Sequence, residues 1–289
     1  MDLTHTEVQP RRVVIAVMAD SHAGNRVGLL APGTELTDPD NTADTYIPNL
    51  SPYQEWLWEH YTEWMKTARE FAGNNTLEVW HNGDAMQGLK YPNQLMTTSV
   101  SDQVLIARKN LNAWKTYGVK TMRIITGTAS HNFGEGAGEV LLKSLLAADG
   151  LDTTLYHHAL LTVHEVEFDV AHHGAGPGSR EWLRGNVARI YTRDRMVADI
   201  LVGKKPTACY LRAHYHTYVK EVVTMGDYES VMVISPSLCG LGEYARQVSQ
   251  SVPVITNGIV LIEIIDGELA RVKPLKATLD LRTKERIDE

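Results

Sequence analysis

The sequence predicts a mixed α/β fold in which two mixed sheets pack face to face with helices outside. Three observations predict it. Residues 13–19, Val-Val-Ile-Ala-Val-Met-Ala, are a continuous, mostly β-branched run of the kind buried on both faces of a sheet. Up to residue 148 such runs alternate with helix-period segments, and this β-α-β-α-β-α rhythm implies parallel strands with right-handed crossovers. Beyond residue 158 short strand-like runs dominate, two pairs of them joined by the hairpin signals Gly226-Asp227 and Asp266-Gly267.

The first run follows Arg11-Arg12 and ends at Asp20. Seven apolar residues are too few for a signal peptide or a membrane span, so a buried strand is the reading. Residues 23–50 are rich in Gly, Pro, Asp, Asn and Thr without periodicity, and a loop of this length is functional or mobile. A helix starts at Ser51-Pro52-Tyr53-Gln54, which combines an N-cap, a first-turn proline and a capping-box glutamine. Leu57, Tyr61, Trp64, Ala68 and Phe71 form its apolar stripe and Gly73 its stop. A strand at 76–81, a helix at 99–117 closed by Gly118 and a strand at 119–126 follow. After them come a Gly-rich loop at 127–138 and a short helix at 139–148. The later half gives strands at 160–163 and 165–171, then a long helix at 179–202 with Trp182, Ile190, Met196 and Ile200 as apolar positions. Strands at 209–213, 219–224, 231–234, 259–265 and 269–272 complete it. The expected organisation is one domain over 1–289, with a long insertion loop at 23–50 and a β-rich C-terminal part at 207–275.

The 289 residues are 43 % hydrophobic and 22 % charged, which excludes a disordered chain, a collagen and a coiled coil. Lys and Arg number 28 against 35 Asp and Glu, and the net charge of −7 disfavours a general coat for duplex DNA while leaving a local basic groove open. Cys209 and Cys239 make neither a disulfide framework nor a CxxC zinc pattern. They fit a reducing compartment, so a cytoplasmic chain with no signal peptide or transmembrane segment is expected.

Chemistry collects where strands end. Of twelve histidines, seven (His22, His81, His131, His172, His173, His214 and His216) lie at or just past the carboxyl ends of expected strands, where open α/β sheets bind ligands. Asp20-Ser21-His22 and His214-Tyr215-His216 are i, i+2 pairs, and on extended backbone both members of a pair point the same way. Asn82-Gly83-Asp84 reads either as a turn or as a carboxylate beside a close backbone approach. His131, in Gly127-Thr128-Ala129-Ser130-His131, reads either as a general acid or as a polar loop histidine. Of His172 and His173, adjacent in a strand, one is expected to face the site. The mixed N/O donor set without thiolate suits Mn, Fe, Zn, Ni or Co, and six or seven donors exceed what one ion needs.

Taken in order, Asp20-x-His22, Gly83-Asp84, Gly127…His131, His173-Gly174 and His214-x-His216 resemble the calcineurin-like metallophosphoesterase superfamily, over residues 20–216. The segment 20–30 also looks like members from phage and prophage genomes. The resemblance implies a four-layer α/β/β/α sandwich and two divalent transition-metal ions, with Mn2+ the leading choice. Asp20, His22 and His216 would hold the first ion, Asp84 would bridge, and His173 and His214 would hold the second. His173 is preferred to His172 because it directly precedes Gly174.

The sequence departs from the family pattern in its third motif, where no Asn precedes His131 and two residues are inserted. Ser130 or Thr128 is the substitute ligand expected there, unless water fills the gap. The second acid usual after Gly-Asp is also missing, since Met86-Gln87-Gly88 follows Ala85. Two cations roughly 3.5–4 Å apart would lower the pKa of a bridging water and stabilise a phosphoryl transition state, with His131 protonating the leaving group.

The leading expectation is a phosphodiesterase or nuclease on nucleotides or single-stranded nucleic acid. The alternatives are a phosphomonoesterase for a small or protein substrate and a non-catalytic module with a degenerate metal site. Arg26, in the 23–50 loop read as a lid, and Arg180, at a helix start, are the candidates for substrate phosphate. Tyr215, Tyr218 and Tyr244 are candidates to stack on a base, and the helix bearing Trp56, Trp58 and Trp64 is a candidate interface of a homo-oligomer.

Overall fold

A computed structural model describes residues 11–134, 136–178, 180–241, 254–280, 282 and 285–286. In chain order these form β1 (Arg12–Met18), β2 (Leu36–Thr37), β3 (Thr45–Tyr46), α1 (Pro52–Ala72), β4 (Thr76–Asn82), α2 (Val100–Asn112), β5 (Thr121–Ile125) and α3 (Ala137–Ala148). They continue with β6 (Asp152–Tyr156), β7 (His158–Val163), β8 (Val166–Ala171), α4 (Asn186–Leu201), β9 (Cys209–Arg212), β10 (Val219–Met225), β11 (Tyr228–Ile234), β12 (Val254–Ile265) and β13 (Glu268–Asp280).

One sheet has the order β13-β12-β1-β4-β5-β6 and the other β10-β11-β9-β8-β7. Both are mixed. In the first, β1, β4, β5 and β6 are parallel and β12 runs antiparallel to β1. In the second, β8, β9 and β11 are parallel and the two edges antiparallel.

Strand alternation builds the layers. Val14, Ala16 and Met18 of β1 face a core shared with α1, α2 and α3. Val13, Ile15 and Val17 face the other way, into a core filled by Phe168, Val170, Leu211 and Val233 of the second sheet. Beyond that sheet, Ala188 of α4 packs on Tyr210, Met232 and Ile234. The order is therefore helices, six-stranded sheet, five-stranded sheet, helix: the four-layer sandwich. Because β1 is buried on both faces, its sequence is a continuous apolar run and not an alternating one.

The local signals at α1 hold. Ser51 Oγ accepts from Gln54 N–H while the Gln54 side chain accepts from Ser51 N–H, and Gly73 closes the helix with a positive φ. Four expectations need correction. Residues 23–36 are part of the packed body and not a lid, since Ala23, Leu29, Leu30 and Leu36 belong to the first core and Gly28 pairs with Cys239, while 39–45 are exposed. A strand, β6, appears at Asp152–Tyr156, where Asp-Thr-Thr carries too little apolar character to announce an edge strand. Helix α4 begins at Asn186 and not at 179, because Gly185 in a left-handed conformation separates it from a 3-10 turn at Glu181–Leu183; Ser179 itself lies outside the described residues. The Trp-bearing face of α1 is turned inward, with Trp64 buried and Trp56 and Trp58 packed against the core. Exposed apolar side chains collect instead on α4, where Ile190 is 60 % and Leu201 80 % exposed, so of the apolar positions expected there only Met196 is buried.

Candidate metal centre

Strand ends of both sheets meet at one rim, and the acids and imidazoles converge there. Asp20 follows β1, Asp84 follows β4, Thr128 follows β5, His172 and His173 follow β8, and His214 and His216 follow β9. The i, i+2 pairs do not converge by lying on extended backbone. Asp20, His22, Asp84, His214 and His216 all have positive φ, between 43° and 74°. Left-handed conformations cost non-glycine residues roughly 1–2 kcal/mol each, and such strain gathers at functional sites. Five of the six expected ligands carry it.

Two donor groups result. In the first, His22 Nε2 lies 3.1 Å from His216 Nε2, and Asp20 Oδ1 lies 4.0 Å from the former and 3.4 Å from the latter. The second contains His172, His173 and His214, and Asp84 stands between the groups, sharing one set with His22 and His131 and another with Asp20 and His172.

The choice between His172 and His173 is not exclusive. His172 is 2 % exposed, with Nε2 3.0 Å from Asp84 Oδ2 and 4.0 Å from Asp20 Oδ1, so it is the imidazole wedged between the carboxylates. Its Nδ1–H donates to Asn82 O at 2.7 Å, which leaves Nε2 as the free lone pair when the ring is neutral. His173 is exposed and lies 3.3 Å from Thr128 Oγ1. Strand pleating stops at Ala171, so the expected alternation of neighbours no longer applies.

At the third motif it is Thr128, not Ser130, that stands against Asp84 and His214. Thr128 N–H donates to Asp84 Oδ1 at 2.6 Å and its hydroxyl lies 3.1 Å from Asp84 Oδ2 and 3.3 Å from His214 Nδ1. The Ser130 carbonyl packs against Gly88 instead. Two glycines make the approach feasible: a Cβ on Gly83 would lie 2.3 Å from His172 Nδ1, and one on Gly127 would lie 2.1 Å from Asp84 Oδ1. Glu139, fully buried, accepts from Gly127 N–H and steadies this loop from behind.

Electrostatics follow from burial and crowding. Burial pushes His22 down to about 3, helped by the neighbouring His216. Burial alone would raise Asp20 and Asp84, yet the imidazoles beside them hold both carboxyls below the usual range. Burial lowers His172, but its hydrogen bond to Asp84 prevails and carries it up to about 9. Asp20 Oδ1 and His22 Nδ1 are buried without a hydrogen-bond partner among the described residues, and His172 Nε2 meets the carboxylate oxygens of Asp84 and Asp20. Buried acids and imidazoles whose donor atoms lie this close together are a cation's donor set, so the residues fit divalent metal ions.

Other expected residues are placed elsewhere. His81 is buried behind the site against Ser21 Oγ. Arg26 donates through Nε to Leu95 O, Arg180 stacks on Trp182, and neither lines the cleft. Tyr215 donates to Gly174 O and Tyr218 lies under Lys276; Tyr244 is outside the described residues. The cleft, 160 Å³ in volume, is lined by His22, Asp84, His131, His214 and His216, and on its far side by Asn25, Gln87, Tyr91 and Gln94. Sequence reasoning missed the amides, which are scattered over seventy positions without any motif.

No protein-family model matches the chain, and no curated protein is similar to it. Among solved structures it is similar to a novel archaeal phosphodiesterase at 12 % identity and a TM-score of 0.39, over 87 % of this chain and 99 % of that one. A dimetal phosphatase from Danio rerio matches at 8 % identity and a TM-score of 0.45, over 95 % and 100 %. The NAD nucleotidase of Haemophilus influenzae matches at 10 % identity and a TM-score of 0.42, and there the chain spans half of the other's length.

Proposed function

We propose that the chain is a metal-dependent phosphoesterase that hydrolyses small phosphodiesters of the nucleotide type, using two divalent cations with manganese as the first choice. One observation carries the reading: two buried carboxylates and five imidazoles from four strand ends converge at one rim, their donor atoms within ligand distance of one another. Asp20, His22 and His216 would hold one ion, His172, His173 and His214 the other, with Asp84 between them and Thr128 in the place of the missing asparagine. Ions in that set would supply acidified water and positive charge for the phosphoryl group.

The chain's own groups do the rest. His131 Nδ1–H donates to Gln87 O, which fixes the ring and leaves Nε2 as the atom that takes or gives a proton. It stands beside His22, ring centroids 4.7 Å apart, at the edge of the donor set, where a leaving alkoxide needs its proton. No Lys or Arg is among the described lining residues. A diester carries one charge fewer than a monoester dianion and asks less of the protein, which favours it over the phosphomonoesterase reading. A long nucleic-acid strand wants a cationic track, so small nucleotides are the better match. The hydroxyl of Thr128 at the third-motif position supports this reading over a degenerate, non-catalytic site.

No helix among the described residues is long and apolar enough to cross a membrane. Free, buried Cys209 and Cys239 accord with the cytoplasm, the compartment this reading adopts. A phage or prophage origin and a homo-oligomer rest on sequence alone. The test is metal analysis of the purified chain with a panel of mono-, di- and cyclic phosphate esters in Mn2+, Fe2+, Zn2+, Ni2+ and Co2+. Bound or stimulating metal with diester turnover is expected; turnover of no ester in any metal overturns the reading.

A further inference from the structure

The far wall of the cleft, beyond His131, is an ordered line of amides. Val27 N–H donates to Asn25 Oδ1 at 2.9 Å, and a backbone N–H is always the donor. This fixes Asn25, which therefore turns its Nδ2 to Gln87 and donates to Oε1 at 2.9 Å. Gln87, fixed in turn, donates from Nε2 to Gln94 Oε1 at 3.2 Å. The relay thus assigns every amide from one unambiguous end. It terminates at Gln94 Nε2, which has no acceptor among the described residues and belongs to the cleft wall. The Gln94 backbone is held as well: its carbonyl accepts from Arg26 N–H and its N–H donates to Tyr91 O. Asn25 and Gln87 are buried, so the chain of bonds is shielded from water up to its last member.

We propose that this relay is the subsite for the alcohol half of the substrate and selects a nucleoside. Gln94 presents N–H donors of fixed orientation, which match the carbonyl and ring-nitrogen acceptors of a base. Tyr91, 42 % exposed beside it, carries Lys90 over its ring, a cation–π contact that a stacked base would displace. Lys90 is the cation at this wall, its Nζ 5.4 Å from the centroid of the Tyr91 ring. His131, whose ring lies 6.2 Å from that of Tyr91, stands between this wall and the donor set, where the bond to the leaving oxygen would break. Asn25 and Gln87 are positioning residues that act through Gln94. The proposal rests on the phosphoesterase reading and adds the identity of the leaving group to it.

The test compares two esters with the metal-loaded full chain: thymidine 5′-methyl phosphate and the abasic deoxyribose 5-methyl phosphate. The expected result is a kcat/KM at least about tenfold higher on the base-bearing ester, the worth of roughly one neutral hydrogen bond, with thymidine and methyl phosphate as products. Gln94→Leu and the size-conserving Gln94→Glu are expected to remove most of that ratio. Asn25→Asp, which keeps the acceptor for Val27 N–H and deletes the donor to Gln87, is expected to act mainly through KM. Thermal melts of each variant report whether it folds. Equal kcat/KM on the two esters, or a preference that survives both Gln94 substitutions, overturns the relay proposal and leaves the phosphoesterase reading standing. Turnover of neither ester in any metal overturns the relay proposal, and inertness of the whole panel of mono-, di- and cyclic esters overturns both.

Discussion

Gly83→Ala isolates the contact on which the donor set depends. A methyl group there would sit 2.3 Å from His172 Nδ1, 2.5 Å from Cγ and 2.9 Å from Cβ, on a residue whose φ is 90°. The ring has nowhere to go: it is buried and its Nδ1 is bound to Asn82 O, one residue before the substitution. The left-handed backbone costs alanine about 1–2 kcal/mol and the overlap about 1–3 kcal/mol, hence a loss of roughly 2–5 kcal/mol. For a chain of 289 residues the unfolding entropy is about 0.6 kcal/mol/K, so the melting temperature should fall by roughly 3–8 °C. Calorimetry on chelator-treated protein measures this, and metal titration measures the second consequence, since a displaced His172 no longer faces Asp84 and affinity drops. A variant that melts with its parent and binds the same metal equally well would refute the packing argument.

Adding a divalent transition metal at about a hundred times its Kd should stabilise the parent by about 2.7 kcal/mol per ion, a rise of roughly 4–5 °C each. Asp84→Asn should abolish both that rise and turnover; near-parental metal content and rate would contradict the bridging role. Thr128→Val removes a hydroxyl bonded to the Asp84 carboxylate, worth about 1.5–3 kcal/mol. Calorimetric titration should show one ion weakened about 10–100-fold, and unchanged binding would dismiss Thr128 as a ligand. In chelated protein, His22 at about 3 and His81 at about 4 are depressed by burial, so their stabilisation is present above pH 6.5 and is lost as pH falls. His172, raised to about 9, acts oppositely: its stabilisation is full below pH 6.5 and is lost as pH rises to 9. Stability of the chelated protein should therefore peak near pH 6.5, falling on the acid side by up to about 1.4 kcal/mol per pH unit for each depressed histidine. A profile rising steadily to pH 9 would contradict this.

The layered sandwich was legible because its signals are local. β1 is a solid apolar run, Ser51 to Gln54 is a capping box, and Asp266-Gly267 turns a hairpin; each needs only its neighbours in sequence. The convergence of Asp20, Asp84 and His214 was legible through strand-end position. The route was not, since the left-handed turns that aim the ligands leave no mark in residue type beyond Gly83. Thr128 against Ser130, and His172 against His173, depend on which side chain a loop happens to turn inward. The edge strand β6 and the exposed face of α4 were misread for related reasons: one is polar yet paired, the other apolar yet unburied. The amide wall spans Asn25 to Gln94 and exists only after folding.

Asp20 stands two residues past the end of strand β1, whose two faces feed two different cores. A slip of one residue along that strand would move Asp20 about 3.3 Å and turn it to the opposite side, while trading the methyls of Val14 and Ala16 for those of Val13 and Ile15. The ångström-scale aim of a polar centre is thereby inherited from the greasy register of a strand that never touches it, so substitutions deep among these aliphatic residues should surface as changes in metal selectivity before they surface as loss of fold.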